Sequence, residues 1–405
     1  MSLKLLVWNI QNFTLNKIDT TIGDNISIPV GGRMPSGMVR FNSLRSDYIV
    51  NNIIDSDPDI FVLVEVISEQ GVKGSLVTGK GQEGLLVLLE RLRAKNEEWC
   101  LVPALKLANK VNINEIYGGS LNTASSYYEL LTEGQYTEGI GVFFRSDRVD
   151  FVGPFLWPRE GDNYNKTKIA EPPRPGVERG PYPEPWQQCL PEGNYYAGQY
   201  IYPSTAFNGL LKFPGIQSRV PFLTRFVEKG ESGRMITLAS VHFPPQYSSA
   251  RVALLRLAGF FRELRLRDNE IQIIAGDYNL DFGADVSFSR GRLREYGFVP
   301  FLGAGAPSTM FRSPRDATPA NYLRDLTLDN IAVRMGRNAY RVAPEITVLN
   351  RVDDPDIPTY MCTTMGQINQ LPPRRRIPTF RLPMNFGYLG PAPGTSDHLA
   401  ILATL

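Results

Sequence analysis

The stretch Ile271 to Phe282, IQIIAGDYNLDF, constrains the fold more than any other part of the chain. Ile271, Ile273, Ile274 and Ala275 make an apolar run of strand length; Gly276 ends it, and Asp277 and Asn279 follow one residue apart. Such a strand delivers polar side chains at its tip, and α/β proteins gather ligands at strand ends because the sheet is rigid there and the loops beyond are free to vary. Gly, Asp and Asn are equally ordinary turn formers, so the same residues also fit a plain turn. Upstream lie an apolar strand, MITLASVHF, and a helical segment from Ala250 to Arg267. Val252, Leu255, Leu257, Phe260, Phe261 and Leu264 are expected near one face of that helix. Strand, helix, strand is the α/β rhythm.

Other apolar runs carry polar tips in the same way. Leu3 to Trp8 is strand-like, with Asn9 and Gln11 at alternate positions beyond it. The run DIFVLVEV is interrupted near its end by Glu65, a carboxylate that is expensive to bury unless paired, hydrogen-bonded or bound to metal. His242 closes MITLASVHF, and Pro244 and Pro245 fix the chain direction after it. Asp329 opens an apolar run in TLDNIAV, and Ser396, Asp397 and His398 precede the terminal strand LAILATL. The chain has 2 histidines, each beside a turn at the end of such a strand. If these tips share a pocket, the first and last strands must lie together, and residues 1–405 form one domain despite their length.

The remaining pattern is scaffold and insertion. Helices are expected over 41–54 and 83–95, and GIGVFFRSDRVDFVG reads as a hairpin about a Ser-Asp-Arg turn. RVPFLTRFV and MITLASVHF read as consecutive strands, with Arg219 at the entrance of the first, where a guanidinium can grip a phosphate through paired hydrogen bonds. Long segments near 14–40, 153–217 and 350–393 lack periodicity. The second is rich in Trp and Tyr and reads as a loop that either covers a substrate or packs on its own aromatics; the third contains Arg374, Arg375 and Arg376, which either touch a polyanion or sit on a solvated loop.

Composition limits the functional classes. A formal net charge of +2 leaves any affinity for polyanions to local patches, and no apolar run reaches the roughly 18 residues of a membrane span. The 3 cysteines, Cys100, Cys189 and Cys362, are far apart and form no CxxC pair, so free thiols in a reducing compartment are expected. The chain opens directly on a strand with no charged n-region. Cytoplasmic placement is therefore the expectation, with secretion the alternative if a leader was removed.

Taken in order, WNIQ, DIFVLVEV, SVHFPP, GDYN, LDNIAV and SDH resemble the motifs of the endonuclease/exonuclease/phosphatase superfamily, also called deoxyribonuclease I-like. The resemblance implies an α/β four-layered sandwich of two packed mixed β-sheets flanked by helices, and a metal-dependent phosphoester hydrolase. It implies Mg²⁺ or Mn²⁺ held by Glu65, Asn9 and Asp397, in keeping with the preference of such ions for oxygen ligands and only one or two carboxylates. By the same resemblance Asp329 holds His398, and that pair either activates water or stabilises the phosphoryl oxygens. Asp277 is the rival base, Asn279 a phosphate ligand, and His242 a second imidazole for acid catalysis or phosphate binding. Nucleic acid ranks ahead of lipid as the phosphoester substrate. The alternatives are a phosphatase or phospholipase C-like enzyme on phosphoinositide, sphingomyelin or nucleotide, and a catalytically silent binding protein.

Overall fold

The computed structural model describes residues 2–19, 41–69, 76–107, 137–154, 184–191, 219, 221–230, 233–245, 247–263, 266–283, 286–302, 306, 308–309, 326–339, 343–349, 360–361, 381–382, 396 and 398–405. Most of the three expected insertions, Asp397 and the run Arg374 to Arg376 lie outside them.

Runs of two to ten residues, most of them apolar, become the strands of two six-stranded mixed sheets. In chain order the first sheet takes β1 (Lys4–Phe13), β2 (Ile60–Ser68), β3 (Trp99–Val102), β4 (Thr137–Arg145), β11 (Glu345–Leu349) and β14 (Ala400–Thr404). The second takes β5 (Val149–Pro154), β6 (Phe222–Glu228), β7 (Met235–His242), β8 (Glu270–Asp277), β9 (Val299–Pro300) and β10 (Asp329–Met335). Their spatial orders are β11-β14-β1-β2-β4-β3 and β5-β6-β7-β8-β10-β9. A short separate ladder joins β12 (Tyr360–Met361) to β13 (Arg381–Leu382). As the convergence argument required, β1 pairs antiparallel with β14, Lys4 opposite Thr404.

Each sheet is built about one parallel pair with a helical crossover. In the first, α1 (Leu15–Ile18) and α2 (Phe41–Ser56) lie between β1 and β2; in the second, α4 (Tyr247–Glu263) links β7 to β8. Helix α3 (Lys80–Arg93), between β2 and β3, buries Leu85, Leu88, Leu89 and Leu92, the 3.6-residue stripe its sequence carries. On α4 the buried face is Ala250, Ala253, Leu254, Leu257 and Phe261, whereas Val252 is exposed and Leu255 half-buried. Leu257 and Phe261 are buried as expected and Val252 and Leu255 are corrected, since alanines at helical spacing let the helix sit close to the sheet; the Phe260 side chain and Leu264 lie outside the described residues. Among the described residues no helix is long and apolar enough to cross a membrane.

The core between the sheets follows from strand period. On the second sheet, Phe222, Phe226, Ile236, Leu238, Ile271, Ile273, Ile331 and Val333 join the first sheet's residues in one apolar cluster. Leu223, Ala239, Val241, Ile274 and Ala332, of the opposite parity, pack with α4 instead. The sandwich therefore has four layers, with helices on both outer faces.

The expected hairpin over 139–153 does not form. β4 pairs with β2 and β3, while β5 pairs with β6 in the other sheet. The Ser-Asp-Arg turn steps between sheets: Ser146 donates its N–H to Glu98 on the first-sheet side, and the Arg148 carbonyl accepts the Lys229 N–H on the second. Arg148 is fixed there by ion pairs to Asp57 and Asp59.

Candidate active site

The period that fills the core also places the polar tips. Ile236, Leu238, Ser240 and His242 share one side of β7; Ile271, Ile273, Ala275 and Asp277 share one side of β8; Val333, Ile331 and Asp329 share one side of β10. His242, Asp277 and Asp329 thus continue the inter-sheet face to the end where the parallel strands finish. Register brings them level, with His242 beside Asp277 and Asp277 beside Asp329. Opposite, Asn9 lies level with Val64, and a bulge in β2 between Leu63 and Val66 re-aims Glu65. Among the described residues four non-glycine residues have positive φ, and three of them, Asn12, Glu65 and Asn279, stand at this end. Backbone strain of this kind collects at functional sites. Gly276 is needed for another reason: its φ is 144°, and a Cβ there would lie 2.0 Å from the Val241 carbonyl oxygen.

The hub is Asp277 Oδ2. It accepts Asn9 Nδ2 at 3.0 Å and lies 3.6 Å from His242 Nε2 and 3.7 Å from His398 Nε2. The other oxygen, Oδ1, accepts the Asn279 backbone N–H at 2.8 Å. Behind His398, Asp329 Oδ2 lies 2.7 Å from Nδ1 and accepts Ser308 Oγ at 2.8 Å. Behind His242, Glu138 Oε1 lies 3.0 Å from Nδ1, and Glu65 Oε1 lies 3.6 Å from Nε2. Both imidazoles are therefore backed by a buried carboxylate and turn their Nε2 atoms toward the same aspartate. Ser396 closes the floor, donating to the Asn9 carbonyl and accepting the His398 N–H at 3.0 Å.

Electrostatics follow from burial. His242 is pulled down by desolvation and by Arg219, but Glu138 and Glu65 outweigh them and its pKa ends above the ordinary value. Desolvation pushes the Asp329 carboxyl up to about 6; His398 and Ser308 oppose the rise and Asp277 adds to it. Glu65, Glu138, Asp277 and Asp329 face two imidazoles and the Arg219 guanidinium, so the pocket stays net negative even with both histidines charged. Repulsion from that surplus disfavours an unaccompanied phosphate and favours a cation.

The sequence matches the profile of the Endonuclease/Exonuclease/phosphatase family over residues 6–328. The chain belongs to that family. Its members are metal-dependent phosphoester hydrolases, nucleases and phosphatases among them. Solved structures similar to this endonuclease/exonuclease/phosphatase protein include D. rerio TDP2 complexed with a single-strand DNA product, at 11% identity, TM-score 0.43, covering 100% of this chain and 98% of that one. A mannosyl-6-phosphatase of Bacteroides thetaiotaomicron VPI-5482 is similar at 13% identity and TM-score 0.41, covering 99% and 98%. A family protein of Leptotrichia buccalis C-1013-b reaches TM-score 0.46 at 12% identity, covering 99% and 98%. Comparison with curated proteins gave no match.

The residues of this family member fit a hard divalent cation. Asn9 Oδ1 and Asp329 Oδ1 are buried with no hydrogen-bond partner among the described residues, and such orphaned oxygens point to a missing ion or water. Asp277, Asp329 and His398 also bring ligand atoms within 4.8 Å of one another. Within that trio the Asp329–His398 contact already engages one oxygen and one ring nitrogen, whereas Glu65 and Asn9 offer oxygens on adjacent strand ends.

Of the expected site residues, Asn9, Glu65, His242, Asp277, Asn279, Asp329 and His398 stand at this one end of the sandwich, and Asp397 is outside the described residues. Arg219 is there too but is turned inward, 6% exposed, paired with Glu138 and donating to the Phe243 carbonyl at 2.9 Å. Asn279 Nδ2 donates to that same carbonyl at 2.7 Å. Sequence reasoning missed Glu138 and Ser308. Glu138 carries the signal that exposed Glu65, a carboxylate against an apolar run in TEGIGVFF; Ser308 carries none.

Proposed function

We propose that this protein is a divalent-metal-dependent phosphodiesterase acting on nucleic acid. One observation supports it above others: two carboxylate-backed imidazoles and an amide from the opposite sheet converge on Asp277 Oδ2 in a pocket whose net charge favours a cation. Glu65, Asn9 and Asp397 would hold Mg²⁺ or Mn²⁺, which would supply charge neutralisation and Lewis acidity toward the phosphoryl oxygens. The chain's own groups do the rest. Asp329 fixes the His398 tautomer with Nδ1–H toward the carboxylate, so that Nε2 meets the reacting group. Deprotonation of the attacking water falls to His398 Nε2 or Asp277 Oδ2, the facing acceptors, and the pH–rate profiles of Asp277→Asn and His398→Ala separate them. His242, whose pKa Glu138 and Glu65 raise, is suited to give a proton to the leaving oxygen. Asn279 steadies the phosphate from the end of β8, while Arg219 contributes its charge from behind His242.

The aromatic and arginine content of 153–217 and 350–393 favours a nucleic-acid strand over a lipid headgroup, because bases stack on aromatic faces and phosphates pair with guanidinium. We further infer one domain over 1–405, since β1 pairs with β14 across the whole chain. The test is a substrate panel with Mg²⁺: single- and double-stranded DNA, RNA, a mononucleotide, phosphoinositide and sphingomyelin vesicles. Cleavage of nucleic acid at a kcat/KM at least about 100-fold above the others supports the proposal, since a gap near 2.7 kcal/mol needs specific contacts. Preference for phosphoinositide, sphingomyelin or a monoester overturns it in favour of a lipid or nucleotide hydrolase.

A further inference from the structure

Cys100 and Cys189 are 89 positions apart, yet both lie where a short turn packs on edge strand β3, at the end of the sandwich away from the site. Cys100 lies on β3, the edge strand of the first sheet, level with Phe144 and through it with Ile60 and Leu5. Asn9 is four residues further along β1, roughly 13 Å at strand rise. Cys189 ends a 3₁₀ turn, Trp186–Cys189, in the 153–217 insertion. That turn packs on β3, with Trp186 at 1% exposure and Cys189 at 0%. This part of the insertion covers a sheet edge and not the catalytic rim.

One guanidinium bridges the two segments that carry the cysteines. Arg93, at the end of α3, donates Nε to the Trp99 carbonyl at 2.8 Å and Nη1 to the Gln188 carbonyl at 2.8 Å. Those carbonyls belong to the residues directly before Cys100 and Cys189, so both Cα atoms sit beside one planar group. The Arg93 charge also acts on the Cys100 thiol, lowering it against the effect of burial. Cys100 in turn is near enough to act electrostatically on Cys189. Both residues are buried as free thiols within the same apolar cluster. Zinc needs about four ligands, and His242 and His398, the chain's histidines, stand at the other end.

We propose that Cys100 and Cys189 are disulfide partners, and that an oxidised form of this protein carries a bond between them that fastens the 184–191 turn to edge strand β3. The step is thiol–disulfide exchange with a low-molecular-weight disulfide. One thiolate attacks it and releases one small thiol; the second cysteine displaces the other. The protein loses two protons and two electrons, and the small disulfide is reduced to two thiols. Burial pushes the Cys100 thiol up and that of Cys189 to about 12, against the pull of Arg93. The closed dithiol is therefore slow to react, and the bond forms as the turn docks during folding or when it opens. Bond geometry asks for Cα atoms about 4.4–6.8 Å apart, an approach that docking of the turn on β3 must supply.

The experiment uses the full chain carrying Cys362→Ser, so that two thiols remain. It is refolded with oxidised and reduced glutathione, the free thiols are alkylated after denaturation, and peptides are mapped by mass spectrometry. Expected are zero alkylated cysteines, one peptide pair joined through Cys100 and Cys189, and a melting temperature raised by at least about 5 °C over the reduced chain. Native chain treated with the same buffer should form the same link more slowly than a free thiol peptide. Retention of two alkylatable thiols after refolding, cross-links only between molecules, or oxidation to a mixed glutathione adduct alone overturns the proposal. The wild-type chain is mapped in parallel, so that poor folding of the variant leaves the answer readable from the same peptide pair.

Discussion

Replacing Asp329 by Asn separates a catalytic partnership from a structural ion pair. The substitution keeps volume and leaves an oxygen for the Ser308 hydroxyl, but removes the charge behind His398 Nδ1, now 2.7 Å away. A hydrogen bond to a charged group is worth about 1.5–3 kcal/mol, so turnover should fall about 10- to 150-fold. His398→Ala removes the imidazole itself and should cost about 10²–10⁴-fold. Because the two act as one unit, the double variant should be no more than about threefold worse than His398→Ala. Stability should move the other way. Burial holds the Asp329 carboxyl up, to about 6 from 3.8, so the folded state binds its proton more tightly than the unfolded chain. Stability is therefore lost as pH rises from 3.8 through about 6, and the penalty is complete above that. At pH 7.5 Asp329→Asn deletes the buried charge and should melt no lower than wild type. The assay is kcat on bis-p-nitrophenyl phosphate per folded molecule, with melting followed by circular dichroism. A structural pair forecasts the reverse, a stability loss of about 3–5 kcal/mol with near-normal turnover. That outcome, or fully multiplicative losses in the double variant, would refute the reasoning.

Ser308 both donates to Asp329 Oδ2 and accepts the Asp329 N–H at 2.9 Å, so Ser308→Ala should lower kcat about tenfold with KM little changed, and Ser308→Thr should restore it; equal loss in both variants contradicts a positioning role. Gly276→Ala places a methyl group 2.0 Å from the Val241 carbonyl oxygen at a φ of 144°, and should destabilise by at least about 3 kcal/mol in denaturant melts; an unchanged midpoint would show that β7 and β8 are spaced differently.

Much of this arrangement is legible in the sequence because one rule writes both core and site. Residues of one parity on β7, β8 and β10 are apolar until the strand tip, where His242, Asp277 and Asp329 take over. The same rule explains the nearness of first and last strands. It fails where tertiary context decides. GIGVFFRSDRVDFVG has the local chemistry of a hairpin, yet Glu98 and Lys229 draw the two sides of its turn into different sheets. Arg219 resembles a phosphate grip by position, but the buried Glu138 turns it inward, and nothing local marks that pairing. Ser308 acts through a loop whose place is set by Leu326 and Leu399, both distant in sequence. On α4, alanines outweigh larger side chains in choosing the buried face, because close approach matters more than bulk.

The most direct measurement of the central claim is hydrolysis of bis-p-nitrophenyl phosphate by metal-stripped protein, titrated with Mg²⁺ and Mn²⁺, beside Glu65→Gln. Activity should be absent in EDTA, return on titration with either ion, and in Glu65→Gln require at least about tenfold more metal, since one of the few charged oxygen ligands is gone. Full turnover in EDTA after exhaustive chelation, or a metal requirement untouched by Glu65→Gln, would contradict the account.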